Sequence, residues 1–148
     1  MAQIRSWTLE DGSTVQLAPQ TALDVSFSAG ERRLRLYQGE AWFKVAPNPS
    51  RPFIVEAAGG DVRALGTAFD VQVLKDGANV TVTEHSVRVS RAGQQTEAGE
   101  GQALHYGTQG IGALRSVEPG QQLAWREQRL VFRDEPLSQV LQLSLIHI

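Results

Sequence analysis

The chain has no cysteine. That excludes a disulfide framework, a thiolate zinc site and a cysteine nucleophile, and leaves the redox compartment open. Basic blocks are missing too. Fourteen Lys and Arg stand against sixteen Asp and Glu, a net charge of −2, so there is no electrostatic footprint for nucleic acid. No segment approaches the roughly 18 apolar residues of a membrane span, and no signal-peptide core precedes the first strand pattern. On this reading any export signal or anchor belongs outside this sequence. Histidine is scarce: His85, His105 and His147 are the only three, and no two stand at metal-pair spacing. His105 sits in a strand pattern and reads as a solvent-facing or hydrogen-bonded side chain. The glycines from Gly107 to Gly112 lack the spacing of a phosphate cradle. No cofactor, metal or catalytic group is expected.

What the chain does have is alternation. At 148 residues it can bury about 68–70% of its unfolded surface, enough for one large domain or one domain and the start of another. Period-2 runs appear at Thr14–Leu17, Leu23–Phe27, Arg33–Tyr37, Glu40–Val45, Phe53–Ala57, Val62–Leu65, Phe69–Leu74, Val80–Glu84 and Val87–Ser90. Weaker runs cover Gln102–Tyr106 and Leu114–Val117. Turn residues such as Asp11-Gly12, Gly59-Gly60 and Asp76-Gly77 separate them, and Pro47, Pro49 and Pro52 break pairing before Phe53. Strands at this spacing, without a long helical period, predict a mainly β fold of stacked or sandwich-like antiparallel sheets.

Two regional features qualify that picture. Thr21-Ala22-Leu23-Asp24-Val25 and Thr67-Ala68-Phe69-Asp70-Val71 match at a constant offset of 46 residues. Alternation alone makes any two strands agree at half of all registers; a duplicated three-strand unit is the other account. The last part changes character. Gln121 to Arg126 reads as a short helix with Leu123 and Trp125 partly buried, Leu130-Val131-Phe132 as a strand, and Leu137 to Leu141 as a helix started by Asp134-Glu135-Pro136. Residues 1–118 are therefore expected to form an all-β domain. Residues 119–148 would start a second, truncated unit, with the apolar end 143–148 open to a non-native origin.

Candidate polar residues read mostly as structural. Asp24 and Asp70 lie between apolar neighbours inside strands and would point outward on a half-wet sheet, or cap backbone amides if the duplication holds. Glu40 reads as a strand start. Arg32, Arg33 and Arg35 read as a solvated face, with Arg33 and Arg35 opposite Leu34 and Leu36. Trp7, Trp42 and Trp125 are aromatic anchors. Because Trp42 alternates with Phe43, one of the two must leave the core or enter a second layer.

Ordered along the chain, the motifs Leu9-x-Asp11-Gly12-Ser13-x-Val15-x-Leu17, Leu36-x-x-Gly39-Glu40-Ala41-x-Phe43-x-Val45, Arg51-Pro52-Phe53-x-Val55 and Leu65-Gly66-Thr67-x-Phe69-x-Val71 resemble the FecR family. Val80-x-Val82, Val87-x-Val89, Gly101-Gln102, Trp125, Leu130-x-Phe132 and Pro136-Leu137 extend the resemblance to about Leu141. Gly39, Glu40, Pro52, Phe53, Gly66, Thr67 and Phe69 carry its structural signature. One departure stands out: the family pattern has glycine after Glu84, where this chain has His85, so a turn that needs positive φ would hold a less tolerant residue. The resemblance implies the periplasmic part of an inner-membrane sigma-factor regulator of iron uptake, an anti-sigma factor without enzymatic activity. It implies binding to the signalling domain of a TonB-dependent outer-membrane receptor, and control of an extracytoplasmic-function sigma factor through a cytoplasmic segment. The end of the chain would then begin a secretin/TonB N-terminal-like unit, and Leu130, Phe132, Leu137 and Val140 become candidate partner contacts. A carbohydrate-binding or structural β-domain, or less favourably a β-rich hydrolase, is the alternative.

Overall fold

The structure, a computed structural model, describes residues 4–118, 124–127 and 130–133. Six short strands come first: β1 Ile4–Thr8, β2 Thr14–Leu17, β3 Ala22–Phe27, β4 Arg32–Gln38, β5 Glu40–Lys44 and β6 Phe53–Ala57. Two strands of fifteen residues follow, β7 Gly60–Leu74 and β8 Gly77–Arg91. Then come β9 Gln94–Gly99, β10 Gln102–Gly107, β11 Gly110–Ile111, β12 Arg115–Ser116, one turn of 3₁₀ helix at Ala124–Glu127, and β13 Leu130–Arg133. The mainly β expectation holds. Pairing is antiparallel except between β4 and β6 and between β1 and β13, which run parallel. The helix foreseen from Gln121 is a 3₁₀ turn three residues further on, and the one foreseen at Leu137–Leu141 lies outside the described residues.

The sequence suggests that the chain breaks near Gly66 and again near His85. It bends there instead. Gly66 has φ +67° and His85 φ +58°, and the β7–β8 register slips between Leu65 and Phe69. A single left-handed residue redirects a strand without ending it. The first half of β7 thereby pairs with β6 and its second half with β5. Likewise β8 pairs first with β10 and then with β9. One hydrogen-bonded sheet so becomes two layers, β13-β1-β2-β5-β7-β8-β10 and β3-β4-β6-β7-β8-β9, that share the long hairpin.

Between the layers lies the core. Alternation sends Val15, Leu17, Ala41, Phe43, Phe69, Val71 and Val80 inward from one layer, and Leu34, Leu36, Phe53, Val55, Val62, Val87 and Val89 from the other. Phe27, Phe53, Phe43 and Phe69 form an aromatic chain across it, with centroid separations of 6.4, 5.9 and 5.2 Å. Tyr106 is fully buried, donates its hydroxyl to the Ala57 carbonyl, and lies against Gly60, where a Cβ would sit 2.6 Å from its ring.

The repeated pentapeptide has a structural counterpart. In β3–β4, Leu23 pairs with Leu36 and Val25 with Leu34; in β7–β8, Phe69 pairs with Val82 and Val71 with Val80. All four pairs agree at the offset of 46 residues, as does a register slip just before Leu23 and just before Phe69. Left-handed residues recur as well. Gln20 (φ +60°) corresponds to Gly66, and Gly39 (φ +88°) corresponds to His85. Thr21 bridges both the amide and the carbonyl of Glu40 at 3.1 Å, and Thr67 donates to the Glu84 carbonyl. The match is thus one of backbone geometry, beyond what alternation demands.

Buried polar contacts then fix the loops. Arg32 was grouped above with a wet face, yet it is only 3% exposed. Its Nη1 donates to Asp11 Oδ2 at 2.6 Å and to the Ala46 carbonyl at 2.8 Å, and its Nε donates to the Arg51 carbonyl at 2.8 Å. Asp11 also accepts from the Ser13 amide at 3.0 Å, and Ser13 Oγ accepts from the Ala46 amide at 2.8 Å. One guanidinium so joins the Asp11-Gly12-Ser13 turn to the proline loop before Phe53, whose ring lies 5.3 Å beneath it. Arg33 and Arg35 do lie on the solvated face, paired with Glu31, Glu56 and Asp61.

Two stability outcomes follow from this geometry. Asp11→Ala strands a buried guanidinium and is expected to cost about 3–5 kcal/mol in urea unfolding, with part of that recovered when Arg32→Met is added. His85→Gly relieves a left-handed histidine and is expected to gain about 0.5–1 kcal/mol; an unchanged or lower midpoint contradicts the strain argument.

Candidate functional site

On β5 the alternation places Ala41 and Phe43 inside and Glu40, Trp42 and Lys44 on the opposite face. The same parity puts Ala68 and Asp70 of β7 and Gln16 of β2 beside them, since Trp42 pairs with Gln16 on one side and Asp70 on the other. A half-wet sheet would leave this face in water. Here the 3₁₀ turn covers it. Trp42 is 7% exposed and forms a second apolar cluster with Ala68 and the half-buried Trp125. Trp42 Nε1 donates to Thr83 Oγ1 at 3.3 Å, which sets the ring plane.

Arg126 lies on that plane, its guanidinium carbon 3.6 Å from the Trp42 centroid. Its Nε donates to Gln16 Oε1 at 2.6 Å. Trp125 Nε1 donates to Glu40 Oε2 at 2.8 Å. A cation stacked on a desolvated indole is worth about 2 kcal/mol, and the two charge-assisted or buried hydrogen bonds about 1–3 kcal/mol each. Together these contacts fix a turn of only four residues, too short to hold its shape alone.

Beneath the turn is Asp70, 2% exposed, not pointing into solvent as its place in the strand suggested. Its partner in the repeat, Asp24, sits on the outer strand β3 and is half-exposed; burial follows from the cover, not from the motif. Burial first, then a hydrogen bond and the charge of Glu40, push the Asp70 carboxyl well above the ordinary aspartate range, opposed by Arg126 and Trp125. Asp70 Oδ1 accepts no hydrogen bond among the described residues.

The remaining predicted residues serve the fold. At Gly39 a Cβ would meet Thr21 Cα at 2.6 Å, and φ is +88°, so glycine is required twice over. At Gly66 only the dihedral demands it, for no atom lies within 4 Å. Thr67, Phe53 and Phe69 are buried, and the Pro52 carbonyl accepts from the Arg32 amide at 2.7 Å. In β13, Leu130 stands opposite Ile4 and Phe132 opposite Ser6 of β1. Leu137 and Val140 lie outside the described residues. The Trp42 face was missed because its members come from Gln16, Glu40, Asp70 and Trp125, with no local motif joining them.

The FecR protein family matches residues 1–88, more than half of the chain, so this protein belongs to the FecR family. Two crystal structures of a candidate anti-sigma factor from Parabacteroides distasonis ATCC 8503 share the fold, each at 25% identity. Their TM-scores are 0.72 and 0.75, covering 93% and 96% of this chain. The chain spans 66% and 70% of those longer proteins. No curated protein matches it.

The raised Asp70 carboxyl makes stability depend on pH. Asp70 keeps its proton in the fold and loses it in the unfolded chain above its ordinary value of 3.8, so folding binds protons in that window. Stability should therefore fall as pH rises from about 4 towards the raised value, by at most about 1.4 kcal/mol per pH unit. Asp70→Asn should flatten that slope in urea titrations; an unchanged slope would assign it to other carboxyls. Glu40, Arg126 and Trp125 are the groups that face Asp70.

Proposed function

We propose that this chain is the periplasmic binding and relay region of an inner-membrane sigma-factor regulator. It takes up the signalling domain of a TonB-dependent outer-membrane receptor, and the bound state governs an extracytoplasmic-function sigma factor through a cytoplasmic segment of the same protein. No bond is made or broken in the process; a partner shifts the population of two arrangements. The single observation that supports this most strongly is family membership over 1–88, joined to likeness with candidate anti-sigma factors over nearly the whole chain. The polar motif residues support it too, because Asp11, Ser13, Arg32, Thr21 and Thr67 are consumed by loop fixation.

Residues 119–148 are taken as the start of a secretin/TonB N-terminal-like unit whose first strand, β13, adds in parallel to β1. Leu130, Phe132, Leu137 and Val140 then belong to the receptor-facing part. The outer strand β3 offers a second route, since it pairs only with β4 among the described residues and a partner strand could extend the layer there. Among the described residues no helix is long and apolar enough to cross a membrane.

Isothermal titration of the full periplasmic region with receptor signalling domains from the source organism tests the reading. One domain should bind saturably, with a dissociation constant on the order of micromolar. Binding to none of them, alongside saturable binding to a glycan panel, would favour the carbohydrate-binding alternative.

A further inference from the structure

We infer that the outer face of β2, β5 and β7 is a docking socket for an aromatic residue followed by arginine, presented by a partner protein, and that Trp125-Arg126 occupies it in cis as a displaceable plug. The socket's chemistry is legible in how it holds its own chain. Trp42 supplies the cation-binding plane at 3.6 Å, Gln16 Oε1 takes the guanidinium Nε at 2.6 Å, and Glu40 Oε2 takes the indole N–H at 2.8 Å. Ala68, wholly buried, leaves room for a large ring above β7. Each contact recognises a feature of the dipeptide and none recognises its neighbours in the chain.

Two observations make the cis occupant replaceable. The 3₁₀ turn is four residues long, and among the described residues its anchors are Trp125 and Arg126, so its seating depends on the socket. The socket is also not saturated by its plug. Asp70 Oδ1 is buried, aimed into the covered face, and accepts no hydrogen bond among the described residues. A ligand bringing one further N–H donor, such as a backbone amide in an extended segment, gains an acceptor that Trp125-Arg126 leaves unused. Charge complements this: the Asp70 carboxyl lies within reach of both the Glu40 carboxylate and the Arg126 guanidinium, so the face favours a cation. An intramolecular plug competes at an effective concentration of about millimolar, so a partner segment must bind with affinity beyond that to displace it. The socket would then be blocked at rest and opened only by a matching partner.

The test needs no receptor, so it stands or falls separately from the reading above. A synthetic peptide of residues 121–129 is titrated against the wild-type chain and against Trp125→Ala/Arg126→Ala, whose socket is vacant. The vacated chain should bind the peptide at least about tenfold more tightly than wild type, and a peptide with alanine for tryptophan at least about tenfold less tightly. If the double variant fails to fold, Arg126→Ala alone removes one anchor and must still bind the peptide more tightly than wild type. Equal binding by wild type and vacated chain, or none by either variant, overturns the proposal.

Discussion

Everything in this molecule depends on a strand being able to change direction without stopping. The left-handed residues Gly66 and His85 let β7 and β8 leave one layer and enter the other while keeping their hydrogen bonds. Without the bend, the apolar face of a flat sheet of this width would remain in water. With it, the face closes on itself and Phe43 meets Phe53 across the core. Each bend costs little, because only one residue per strand leaves the extended region. The repeated geometry fits the same logic. The pair Gln20 and Gly39 flanks the β3–β4 hairpin as Gly66 and His85 flank the later one, so the fold uses one geometric device twice.

How far the sequence showed this depended on whether the information was local. Strands such as Phe53–Ala57 and Thr14–Leu17 were legible to the residue, since alternation and flanking turns are written in neighbouring positions. β9 was not. Its sequence is polar throughout and only Ala98 is buried, so an outer strand of this kind has no period to read. The breaks placed at Gly66 and near His85 were right about the dihedral angle and wrong about the outcome, because a positive φ marks a bulge as readily as a turn. The glycine missing after Glu84 pointed to the strained histidine before any coordinates did. Arg32 and Asp70 resisted the sequence most. Asp70 looked solvated by parity; Arg32 was grouped with its charged neighbours although it shares the face of Leu34 and Leu36, and both are buried because a distant segment covers them: the proline loop over Arg32, the 3₁₀ turn over Asp70.

The family's motifs and the Trp42 face therefore overlap at Glu40 and Trp125 and otherwise occupy different parts of the molecule. Asp11-Gly12-Ser13, Gly39, Arg51-Pro52-Phe53 and Gly66-Thr67 hold loops against the two layers and are used up in doing so. A domain built this way can keep one scaffold and vary its surface, since the loops are fixed by buried residues.

Tyr106 extends the argument to alkaline solution. Burial, reinforced by the charge of Asp61 and opposed by Arg91, raises its phenol far above the ordinary value of 10.0. The unfolded chain gives up that proton first, so hydroxide pulls on the open form and the bolt between β10 and β6 weakens as pH climbs past about 10. Phenolate from this ring consequently signals molecules whose layers have parted.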